Sequence, residues 1–109
     1  MNEQVQNYLE KYPAEIMELF KALRRLIYDS ATIEPTEMLW AKLPSYYAGE
    51  KFVRLIPFQD HINIEARATA CYREALVEYK ITPKGMVQIA VKQAIPADVL
   101  KQIFAETLG

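Results

Sequence analysis

Cysteine, histidine and tryptophan each occur once in this 109-residue chain, and glycine occurs three times. One cysteine excludes an intrachain disulfide framework. One cysteine with one histidine leaves too few soft ligands for a thiolate zinc cage. Three glycines cannot furnish a glycine-rich phosphate cradle. No apolar run approaches the roughly 20 residues of a membrane span. The opening MNEQVQNYLEKY is polar and has no basic start followed by an apolar block, so a secretory leader is not expected. Neither charge sign dominates: 13 Lys and Arg face 14 Asp and Glu, for a net charge of −1. That balance argues against nucleic acid or an anionic membrane as the main partner. The expectation is one soluble domain spanning 1–109, of bacterial cytoplasmic type.

The composition is otherwise ordinary, with 51% hydrophobic, 25% charged and 11% aromatic residues. A chain this long buries roughly two-thirds of its unfolded surface, enough for one core without covalent staples. Charge drifts along it. Residues 1–39 hold seven acids and four bases, 40–66 hold three of each, and 67–109 hold four acids and six bases.

Hydrophobic spacing sets the expected elements. Val5, Tyr8, Leu9 and Tyr12 form a short helical stripe. Pro13 opens a second helix, predicted to run to about Ala31, with Ile16, Leu19, Phe20, Leu23 and Ile27 inward. Its outer face offers Glu18–Lys21 and Arg25–Asp29 as surface pairs. Alternation then predicts strands over Thr36–Lys42, Ser45–Tyr47, Lys51–Phe58 and His61–Ala66, the last two joined across Gln59-Asp60. Ala68–Tyr79 is predicted helical, with Ala68, Cys71, Tyr72, Ala75, Leu76 and Tyr79 inward. Thr82-Pro83-Lys84-Gly85 breaks it, Met86–Val91 is a strand, and Pro96 opens a terminal helix carrying Val99, Leu100, Ile103 and Phe104. The expected fold class is α+β: two layers, with helices packed on one face of a mostly antiparallel sheet of about five strands.

Candidate chemistry is sparse. His61 is the only imidazole, and a hydrated place on the sheet is preferred to a catalytic one. Cys71 is read as a packing residue. Trp40-Ala41-Lys42-Leu43-Pro44-Ser45-Tyr46-Tyr47 puts Trp, Pro and two Tyr beside a turn, as either a pocket wall or a core plug. The Lys84 turn could offer its ammonium and backbone N–H groups to an anion, although a plain turn is the preferred reading. The acids of the second helix could form an iron-binding ridge, but interleaved Lys21 and Arg25 favour a solvated, salt-bridged face. No nucleophile–base pair is identifiable, so no enzyme is predicted.

Four motifs carry a resemblance. Trp40 to Tyr46 fits W-x-x-x-P-x-Y, Phe58 to Ile62 fits F-x-x-H-I, and Lys84 to Ile89 fits K-G-x-x-Q-[IF]. Ile95-Pro96-Ala97-Asp98-Val99-Leu100 opens the closing helix in the same manner. In order and spacing the chain resembles the small bacterial YdhG-like group, the frataxin-like iron chaperones. The resemblance implies helices layered on an antiparallel sheet, and a non-enzymatic protein that binds ferrous iron weakly and passes it to a partner. Asp29, Glu34 and Glu37 are the one concentration of acids available for such iron. The alternatives are a small-ligand pocket near Trp40, Pro44, Tyr46, His61 and Lys84, and an interaction module using the open sheet face.

Overall fold

The computed structural model describes all residues, 1–109. Helix α1, Glu3–Leu9, begins at Asn2, whose side-chain oxygen accepts from the Val5 amide. Helix α2, Ala14–Ser30, follows Pro13 and buries Ile16, Leu19, Phe20, Leu23 and Ile27, the predicted stripe. The expected Glu18–Lys21 and Arg25–Asp29 pairs do not form. Arg24 instead reaches inward to Glu37, with Nε 2.7 Å from Oε2.

Six strands form one open sheet, one more than expected: β1 (Thr36–Trp40), β2 (Leu43–Ala48), β3 (Lys51–Pro57), β4 (His61–Ala66), β5 (Lys80–Ile81) and β6 (Val87–Ala90). Their spatial order is β1-β2-β3-β4-β6-β5, and every neighbouring pair is antiparallel. The extra strand is only two residues long, too short for alternation to register. The predicted strand over Thr36–Lys42 ends early, because Ala41 and Lys42 form the β1–β2 turn with φ of 48° and 66°. Hairpin turns favour that left-handed geometry, but the Asn-Gly or Gly that normally announces it is missing. Pro44 lies inside β2, before pairing with β3 begins at Ser45, where a missing N–H is tolerated.

Alternation sorts each strand into two faces. Tyr46, Val53, Leu55, Ile62, Ile64, Val87 and Ile89 point inward and are fully buried. They meet α2 and helix α3, Ala97–Leu108, whose Leu100, Ile103 and Phe104 complete the core. All three helices contribute to that one core, so the two-layer α+β architecture is as predicted. No helix is long and apolar enough to cross a membrane.

The predicted helix over Ala68–Tyr79 is a different object. Residues Arg67–Leu76 wind as a 3₁₀ segment, interrupted at Tyr72 with φ −123°. Three residues per turn and the break at Tyr72 change which side chains face inward. Ala68, Thr69 and Leu76 are buried, whereas Cys71 and Ala75 are exposed. The segment returns to β5 rather than directly to β6. Thr82–Gly85 is therefore a strand-to-strand turn, not the helix-to-strand turn expected.

Candidate functional site

The five residues proposed as a pocket do not come together. Trp40 ends β1 on the face away from the helices, 51% exposed. Pro44 and Tyr46 are buried on the opposite face. The two-residue period of a strand separates Trp40 from Tyr46 as surely as a wall would. His61 begins β4 and stacks on Phe58 at 4.5 Å, with Nδ1 2.7 Å from Asp60 Oδ1. Antiparallel pairing puts the end of β1 and the start of β4 at one end of the sheet. The β5–β6 turn carrying Lys84 is at the other.

Tyr46 belongs to a polar clasp. Its hydroxyl donates to Glu37 Oε2 at 2.8 Å, the Asn2 amide donates to Oε1 at 2.6 Å, and Arg24 completes the set. Burial pushes the Tyr46 phenol far above its ordinary value, and the Glu37 carboxylate adds to this. Burial alone would raise the Glu37 carboxyl as well. The hydrogen bonds from Arg24, the Asn2 amide and Tyr46 outweigh it and hold the pKa below the usual carboxylate value. Of the acids considered for iron, Glu37 is thus fully engaged, while Asp29 and Glu34 are exposed. No group of three or more His, Cys, Asp or Glu side chains is placed to hold a metal ion.

On the open face, Arg54 is only 5% exposed, although it lies at the centre of the outward side of β3. Its guanidinium is stacked with Phe52 at 4.0 Å and Trp40 at 4.2 Å. It donates from Nε to Ser45 Oγ at 2.8 Å, and from its two Nη atoms to Glu65 Oε1 and the Tyr47 hydroxyl, each at 3.0 Å. Aromatic cover and a hydrogen bond from each of its three nitrogens make a buried guanidinium tolerable. Trp40 therefore roofs an arginine. It is neither the core plug nor the pocket wall that the sequence suggested.

A concave site lies at the other end of the sheet. The order β2–β3–β4–β6 sets the β2–β3 turn and the β5–β6 turn on either side of the end of β4. There the chain turns into the 3₁₀ segment, leaving a cleft of about 430 Å³. Its lining includes Phe52, Ala66, Ala70 and Met86 among apolar residues, and Lys51, Arg67, Arg73 and Lys84 among cations, against the carboxylates Glu50 and Glu65. Two cations are committed: Lys51 donates to the Gly109 carbonyl, and Arg67 to the Glu106 carbonyl at 3.3 Å. Arg73 and Lys84 have no ion-pair partner in the protein. Lys84 is presented by a tight turn. The Gly85 amide donates to the Thr82 carbonyl at 2.8 Å, and Gly85 adopts φ +87°, open to glycine without strain.

Of the five residues predicted to form a pocket, then, only Lys84 lines this cleft. The sequence reading missed Arg73, Glu65 and Phe52. The one signal pointing this way was the basic excess of residues 67–109. No protein-family model, curated protein or solved structure matches this chain. The resemblance to the YdhG-like group rests on the four motifs alone, and the observed layering is common to many α+β folds.

Proposed function

We propose that this chain is a binding domain for a small organic acid, held in the cleft between the β2–β3 and β5–β6 turns. The observation that carries this reading is the pair of unpartnered cations, Arg73 and Lys84, at a cleft also lined by Phe52, Ala66, Ala70 and Met86. Two free cations attract an acid group, and Phe52, Met86 and the alanines accept its carbon skeleton. Its size suits a metabolite-sized molecule, since ligand sites typically run from about 300 Å³ upward. The lining holds no Ser, Cys or His. Its one hydroxyl, on Thr107, already accepts from the Ala68 amide at 3.1 Å.

The test is titration of isotope-labelled protein with 3-phenylpropanoate, followed by amide NMR. Shifts are expected at Ala66–Ala70 and Lys84–Met86, and the double variant R73E/K84E should abolish them. Absence of shifts at those amides at about ten millimolar acid would sink the reading. The same sample titrated anaerobically with Fe²⁺ addresses the iron-chaperone function implied by the resemblance. Changes confined to Asp29 and Glu34, with a silent cleft, would favour iron instead.

A further inference from the structure

The cleft carries both signs of charge, and they are arranged in space. Its carboxylates come from the β2–β3 turn, with Glu50, and from the end of β4, with Glu65. Its free cations come from the 3₁₀ segment, with Arg73, and from the β5–β6 turn, with Lys84. The sheet order puts the β2–β3 turn and the β5–β6 turn on opposite sides of β4. Glu65 is the better defined of the two acids. Its Oε1 accepts from Arg54 at 3.0 Å, and Arg54 is itself locked between Trp40 and Phe52. That anchor fixes the carboxylate. Its second oxygen has no hydrogen-bond partner, and its side chain remains 40% exposed at the cleft.

A plain acid would use the cations and leave this fixed acceptor unused. A ligand with an acid at one end and an ammonium at the other would use both, with its apolar part on Phe52 and Met86. We propose that the cleft takes a small zwitterion with an apolar side group, an apolar α-amino acid in the simplest case, with Glu65 reading the ammonium. The proposal rests on the acid-binding reading above and deepens it. Glu65 is therefore a specificity residue, and Arg54 acts through it as a positioning residue.

Three matched probes separate the ideas: phenylalanine, 3-phenylpropanoate, which lacks the ammonium, and phenethylamine, which lacks the acid. Each is titrated into the full chain, with the amides of Phe52, Ala66 and Gly85 as readout. Phenylalanine should bind about tenfold more tightly than either truncated probe, the gain expected of one hydrogen bond between charged groups. E65Q keeps a carbonyl oxygen for Arg54, so the Trp40 emission should stay as in the parent. The variant should reduce the phenylalanine advantage over 3-phenylpropanoate to less than about threefold. If 3-phenylpropanoate binds as tightly as phenylalanine in the parent protein, the zwitterion proposal is overturned while acid binding stands. If phenethylamine binds most tightly, or no probe moves these amides, both readings fall. An advantage that survives E65Q removes the role given to Glu65.

Discussion

Glu37 makes an acidic side chain structural. It is 7% exposed and receives donors from α2, from the chain before α1 and from β2. Its lowered pKa links folding to pH. The unfolded chain takes up the proton first, near the ordinary carboxylate value of about 4. The contribution of Glu37 to stability is therefore complete above that pH and is lost as pH falls through its lower folded-state value. E37Q should cost about 1–3 kcal/mol at neutral pH and flatten the acid limb of a urea-denaturation series below about pH 4. An unchanged acid limb would mean that other carboxylates govern it. Cys71 is the second residue whose role changed. It sits exposed on the 3₁₀ segment, not inside the core. A thiol reagent should label it stoichiometrically in the folded protein, without denaturant.

At the scale of elements, the sharpest contrast lies between α2 and the 3₁₀ segment. The α2 stripe keeps one period over 17 residues, and every residue assigned inward is buried. Leu23 lies in the middle of that stripe, fully buried. L23A should cost about 2–5 kcal/mol, measured by chemical denaturation. The 3₁₀ segment has a similar mix of residues, but winds more tightly and breaks at Tyr72. A helical reading therefore faces Cys71 and Ala75 the wrong way. The β1–β2 turn teaches a related lesson. Ala41 and Lys42 both hold positive φ without the glycine that would relieve it. K42G should raise stability by about 1 kcal/mol, seen as a higher denaturation midpoint. A loss instead would show that the Lys42 side chain contributes more than its backbone strain costs.

At the scale of the molecule, one core ties both ends of the sheet together. The radius of gyration is 12.8 Å, close to the roughly 13 Å expected of a folded domain this long. Unfolding should be a single cooperative transition. A ligand that binds only the folded chain then raises the midpoint by mass action. At about one hundred times its dissociation constant, a cleft ligand should add about 2.7 kcal/mol. R73E/K84E should remove that thermal shift and leave the unliganded midpoint nearly unchanged, since both side chains are exposed and unpaired.

The amino-acid sequence determined the elements with long, regular patterning: α2, α3, the β3–β4 hairpin and hence the two-layer class. Local spacing suffices there, because each buried face is written every 3.6 or 2 residues in one segment. It also located Lys84 in a turn, one of the two unpaired cations at the cleft. Tertiary structure decided the rest. Tyr46 became a donor to Glu37 only because β1 pairs with β2. Arg54 became buried only because Trp40 and Phe52 close over it. The cleft exists because the sheet order brings the β2–β3 turn, the end of β4 and the β5–β6 turn to the same end. Arg73 is 11 residues from Lys84 and Glu65 is 19 away, with no period linking them. Their meeting follows from strand order, which no local pattern encodes.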